Sequence, residues 1–70
     1  MNYRQILQMG NKLKERNGSA YISRPKLIVL LREMSKNHTM PTLRHYAEIL
    51  KKNGYIKATR NGDWEILEVK

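Results

Sequence analysis

Residues 39–56, TMPTLRHYAEILKKNGYI, restrict the fold more than any other stretch of the chain. They carry a helix start, an amphipathic body and a stop. Thr39 is placed to act as N-cap, its hydroxyl accepting from an orphan amide of the first turn. Pro41 falls inside that turn, where the missing N–H costs little. Leu43, Tyr46, Ala47 and Leu50 recur at the i, i+3, i+4, i+7 spacing of a buried stripe. Gly54 follows Asn53, where the chain needs a left-handed residue to leave the helix. The opposite face holds Thr42, Arg44, His45, Glu48, Lys51 and Lys52. A short helix with such a polar, mostly basic face could enter a DNA major groove.

Two more helices precede it. Residues 2–16 place Tyr3, Ile6, Leu7, Gly10 and Leu13 on one apolar or close-packing face, with Met9 at its edge. Asn17-Gly18 tolerates positive φ and ends the helix. Residues 19–22 are too short for a helix and read as a loop or a short strand. Ser23-Arg24-Pro25 is a second helix start, with a serine cap and proline just inside. The helix over 25–36 turns Leu27, Leu30, Leu31 and Met34 inward, and Ile28 and Val29 widen the stripe. That β-branched pair also suits a buried strand, but the caps and the following Arg32-Glu33-Met34-Ser35-Lys36 favour helix. Asn37-His38 is the turn, followed at once by the Thr39 cap. Two helices joined by so short a link, the second polar on its outer face, form a helix-turn-helix arrangement. Short turns also occur in any compact helical domain.

After the third helix the period changes. Residues 55–60 and 63–69 read as two strands around Asn61-Gly62, the strongest short hairpin signal available. A two-residue turn sets Ile56 opposite Leu67 on the core face and leaves Trp64 and Ile66 outside. A three-residue loop with a bulge shifts this register and could turn Trp64 inward. The sequence leaves both open. The expected class is α+β, mostly α, in one domain over 1–70: three helices followed by a two-stranded hairpin.

Seventy residues bury a small core of marginal stability, and no cysteine is present for a disulfide or a thiolate metal site. A second subunit is the most plausible other source of stabilisation. The formal charge is +8, unevenly spread. Residues 1–60 carry thirteen basic and three acidic side chains, whereas the last ten carry one and three. Such a balance favours a polyanionic partner, nucleic acid before membrane, against the plainer reading of a solvated basic surface. The first residues lack a secretory pattern. The longest apolar run, Leu27 to Leu31, is far short of a membrane span. The expectation is therefore a cytoplasmic, nucleoid-associated protein. His38 and His45 have no partners at metal spacing, which argues against zinc. No phosphate loop or nucleophile–base pair is visible. Asp63 and Glu65 flank Trp64 on an exposed hairpin and make no shielded site, so an enzyme is not expected. No cofactor or small-molecule ligand is expected either.

The order from Leu27 onward, and above all the basic amphipathic helix running into Gly54-Tyr55-Ile56, resembles a winged helix-turn-helix domain. Residues 3–13 match the first helix of that family and residues 20–22 its small first strand. The chain is also similar to compact regulators of mobile elements, including archaeal viruses and plasmids. The resemblance implies double-stranded DNA as partner, with the third helix in the major groove and the hairpin wing on the backbone or minor groove. Thr39 would lie against a phosphate. Thr42, Arg44, His45 and Glu48 would face the groove, with Arg44 the best match for guanine O6 and N7. Glu48 would accept from a cytosine amine or orient Arg44. Met40 would touch a thymine methyl. Lys51 and Lys52 would reach phosphates, as would Arg24 and Lys26 on one flank and Lys57, Arg60 and Asn61 from the wing. Two departures from the family stand out. Pro41 occupies a position that often holds a small polar residue, and the second wing strand is acidic.

The leading expectation is a sequence-specific DNA-binding transcription regulator, a homodimer joined through helix 1 with Met9 or through the outer hairpin face with Trp64 and Ile66. The alternatives are a nonspecific architectural nucleic-acid binder and a winged-helix module for protein–protein contacts. Each assignment competes with a plainer one. Arg44, Lys51 and Lys52 can be an ordinary solvated face, and Trp64 is more often a core aromatic than a stacking platform.

Overall fold

A computed structural model describes residues 2–36 and 39–68. Three helices, α1 (Tyr3–Asn17), α2 (Arg24–Ser35) and α3 (Met40–Lys52), are combined with three short strands, β1 (Tyr21–Ile22), β2 (Ile56–Ala58) and β3 (Trp64–Ile66). The class is α+β and mostly helical, as expected. The sheet is antiparallel in the order β1-β3-β2, so the last strand lies in the middle. Within residues 19–22, read as a loop or a short strand, Tyr21 and Ile22 form strand, because β3 offers them a ladder.

Local chemistry sets the helix limits. Asn2 caps α1: its side chain accepts from the Gln5 amide at 2.9 Å, and the Gln5 side chain accepts in return from the Asn2 amide at 3.1 Å. This reciprocal box satisfies two orphan donors and moves the helix one residue later than expected. The helix leaves through Gly18 at φ +75°. Ser23 caps α2 by accepting from the Lys26 amide at 3.2 Å, and proline sits in the first turn. Lys36 ends α2 in the left-handed region at φ +58°, so the helix stops at Ser35 rather than 36. The predicted turn at Asn37-His38 lies outside the described residues.

The core is built from the helix stripes and the inner sheet face. Leu13, Leu27, Leu31, Leu43, Leu50 and Ile56 are the largest fully buried side chains, each stabilising by about 1.5–3 kcal/mol relative to exposure. No polar or charged residue is buried among the described residues. Three expectations about the helix faces need correction. Met9 is not at an edge but in the core, where α1 packs on α2 and α3. Tyr3 is 53% exposed and Val29 49% exposed, so neither belongs to the buried stripe. A tyrosine in the first turn reaches the rim of the core and places its hydroxyl in water or on a polar partner.

The hairpin adopts the bulged alternative. The register pairs Ile56 with Ile66, Lys57 with Glu65 and Ala58 with Trp64. Arg60, Asn61 and Gly62 form a three-residue loop. The Thr59 amide donates to the Asp63 carbonyl at 3.0 Å and the Gly62 amide to the Thr59 carbonyl at 3.2 Å. Gly62, at φ +84°, supplies the left-handed residue this loop requires. Ile56 therefore faces Ile66, not Leu67. Trp64 and Ile66 turn inward and are 6% and 5% exposed. A one-residue shift exchanges the two faces of a strand, and here it completes the core. The strands are also shorter than the sequence suggests.

Candidate nucleic-acid interface

Helix α3 is fastened at its C-terminal end. Gly54 takes φ +79°, the Tyr55 amide donates to the Leu50 carbonyl at 2.9 Å, and the Gly54 amide donates to the Lys51 carbonyl at 3.2 Å. This paired closure is the Schellman arrangement. Leu50 and Tyr55 then meet at Gly10 of α1: a Cβ there would stand 2.7 Å from Leu50 Cδ2 and 2.7 Å from Tyr55 Cδ1. The Tyr3 hydroxyl donates to Asn53 Oδ1 beside the same closure, and Asn53 Nδ2 donates to the Ile49 carbonyl at 2.7 Å. The helix is thus held by α1 and by its own turn into β2.

With Leu43, Tyr46, Ala47 and Leu50 buried, the opposite side is presented to solvent. Met40, Pro41, Arg44, His45, Glu48, Lys51 and Lys52 are all exposed, and Thr42 is half-buried. Three cations and one carboxylate occupy this face. Among the described residues the one ion pair is Lys14–Glu68 at 3.3 Å, an exposed contact of little energetic weight. Arg44, Lys51, Lys52, Lys57, Arg60 and Lys26 therefore carry charge that no carboxylate of the described residues neutralises in a salt bridge.

The N-terminus of α3 departs from expectation. Thr39 holds the extended N-cap backbone, but its side chain makes no capping hydrogen bond. Its hydroxyl instead donates to Thr42 Oγ1 at 2.6 Å. Proline in the first turn removes one of the amides a cap would serve, and the Thr39 hydroxyl turns to Thr42 instead.

The hairpin places its predicted residues less favourably for an anion. Lys57 stands on the solvent face of β2 directly opposite Glu65, and Tyr21 of β1 continues the row on the far side of Glu65. Arg60 and Asn61 are exposed at the loop tip. Lys26 is exposed in the first turn of α2. Arg24 is engaged with the protein itself. Its Nε donates to the Gly62 carbonyl at 2.7 Å, and its guanidinium carbon lies 4.5 Å from the centroid of the Trp64 ring. The start of α2 is thereby tied to the loop that carries Arg60 and Asn61. Sequence reasoning named Arg24 as a backbone contact and missed Trp64 as its seat. The two are far apart in the chain, and no local pattern links them.

Met9, Trp64 and Ile66, the residues named for a dimer surface, lie within the chain's own core and are unavailable to a second copy. Among the described residues no group of three or more His, Cys, Asp or Glu is placed to hold a metal ion. Likewise, no helix of the described residues is long and apolar enough to cross a membrane. No family model matches the chain, and neither a curated protein nor a solved structure matches it.

Proposed function

We propose that this protein is a winged helix-turn-helix transcription regulator that binds double-stranded DNA in a sequence-specific manner. Helix α3 enters the major groove, and the β2–β3 hairpin acts as the wing on the backbone or minor groove. The observation that carries this reading is the exposed face of α3, where Arg44, Lys51 and Lys52 are free of salt bridges to the described residues and are mounted on a buried stripe. A rigid helix with such a face meets the two needs of duplex binding: charge for the phosphates, and a forked donor able to read a guanine edge. Arg44 reads a base, with His45, Glu48, Thr42 and Met40 beside it. Lys51 and Lys52 contact phosphates, and Lys26, Lys57, Arg60 and Asn61 add backbone contacts. A single small domain covers limited DNA, and a second copy on a palindromic site would double the contacts.

Selection from random duplex DNA over a salt series tests the reading, with Arg44→Ala and Lys57→Ala alongside wild type. Wild type selects a motif, Arg44→Ala relaxes it at one position, and Lys57→Ala weakens all sequences alike. Equal binding to every duplex with a steep salt slope would replace it with an architectural binder. No binding even at low salt would leave the α3 face as a surface for another protein.

A further inference from the structure

We infer that Arg24 is not primarily a phosphate contact but the residue that fixes the hairpin tip in its working position; its effect on DNA rests on the DNA-binding reading above. Three observations converge on it. The Arg24 Nε donates to the carbonyl of Gly62, the left-handed residue that closes the tip loop. The guanidinium lies over the Trp64 ring at 4.5 Å, and that ring is itself buried in the core at 6% exposure. Arg24 is also the first residue of α2, a helix whose start is fixed by the Ser23 cap and by proline in the first turn. A planar cation can lie on an aromatic face and still direct an in-plane N–H at a carbonyl.

The tip loop has little else to hold it. Its internal support is the Gly62 amide on the Thr59 carbonyl at 3.2 Å and the Thr59 amide on the Asp63 carbonyl at 3.0 Å. Arg60, Asn61 and Gly62 are exposed. Those internal bonds close the loop, and the Arg24 bridge to the Gly62 carbonyl both steadies that closure and fixes where the loop stands relative to α2, which packs on α3. Arg60 and Asn61 thus approach a duplex already docked on α3 without first having to be ordered, and pre-ordering is what raises affinity in such contacts. Arg24 is a positioning residue for Arg60.

The test compares Arg24→Lys and Arg24→Ala in two readouts. In the free protein, amide hydrogen exchange at Gly62 and the near-ultraviolet dichroism of Trp64 report the clamp without DNA. Both variants should raise Gly62 exchange about tenfold, because lysine keeps the charge but lacks the plane and the Nε donor. Unchanged exchange and dichroism in both variants would overturn the clamp, whether or not the protein binds DNA. On a selected duplex, Arg24→Lys should weaken binding about as much as Arg24→Ala. Arg60→Ala should lose most of its effect in the Arg24→Lys background, while Lys51→Ala keeps its full effect there. Coupling to Arg60 but not to Lys51 separates positioning of the tip from general loss of stability, which would affect both. If Arg24→Lys binds like wild type and only Arg24→Ala is weak, Arg24 is a plain phosphate charge and the positioning role is wrong. If wild type binds no duplex, the functional reading fails, and the exchange measurement alone decides the clamp.

Discussion

Lys57 and Glu65 face each other across the β2–β3 ladder, on the side of the sheet turned away from the core. A phosphate that approaches Lys57 therefore also meets a carboxylate. Replacing Glu65 with glutamine keeps the shape and removes the opposing charge. On the DNA-binding reading, Glu65→Gln should bind duplex about two- to fivefold more tightly at low salt, with the gain fading as salt screens the surface. Fluorescence-anisotropy titrations at two salt concentrations measure it. Affinity that does not change at low salt would mean that β3 and Lys57 stand away from the DNA, and affinity that falls would mean that Glu65 itself makes a favourable contact.

Gly10 is a packing glycine rather than a turn glycine. Alanine there would gain about 1 kcal/mol of helix propensity. It would also force its Cβ to within 2.7 Å of both Leu50 and the Tyr55 ring, and overpacking of this kind costs about 1–3 kcal/mol. A net loss of about 1 kcal/mol should lower the melting temperature by about 5 °C. A melting temperature that rises would show that Leu50 and Tyr55 can yield.

Asn17 organises the passage from α1 to β1. Its Nδ2 donates to the Ser19 carbonyl at 2.9 Å and to the Tyr21 carbonyl at 2.8 Å. Asn17→Asp is nearly isosteric but presents an acceptor to two carbonyls. The expected cost is about 2–3 kcal/mol, from two lost bonds and a poorly placed charge. Urea unfolding of the aspartate variant should show an earlier midpoint with an unchanged slope. A midpoint equal to wild type would rule out the role given to Nδ2.

The hairpin tip should tolerate the loss of one residue. Deleting Arg60 leaves Asn61-Gly62 between Thr59 and Asp63, a two-residue turn that keeps the same flanking pair. Trp64 should stay buried, with no red shift of its fluorescence, and on the DNA-binding reading duplex affinity should fall because the tip cation is gone. Deleting Thr59 instead leaves the same number of residues between Ala58 and Trp64, so Arg60 takes its place opposite Asp63, Trp64 should again stay buried, and the tip cation is kept. Exposure of Trp64 in either deletion would contradict the register.

The helical part of the fold was legible because its signals are local. Ser23 and Pro25, Gly54, and the spacing of Leu43, Tyr46, Ala47 and Leu50 each act within a few residues, and the structure places them as read. What escaped depended on distant partners. Asn61-Gly62 announces a turn, but whether the loop holds two residues or three depends on which strand face the core needs, and Ile22 and Leu13 belong to other elements. The same holds for Met9, whose burial depends on where α2 and α3 pack. Thr39 looked like a cap because threonine caps commonly. Thr42, three residues on, was the competing partner and was visible in the sequence. The exposed residues of the candidate site follow from the helix period alone, whereas the engagement of Arg24 with Gly62 and Trp64 required the fold.

The position of β3 has a consequence for how the protein comes into being. The strand made last stands between the two made earlier. A nascent chain that has reached the hairpin tip already holds the residues of all three helices, yet Ile22 and Ile56 have no strand between them and Arg24 has no ring beneath it. Most of the sheet's hydrogen bonds must wait for Trp64 to Ile66 to emerge. Until then the chain exposes apolar surface to chaperones and proteases, and native structure is acquired late and nearly all at once, by pairing residues far apart in sequence.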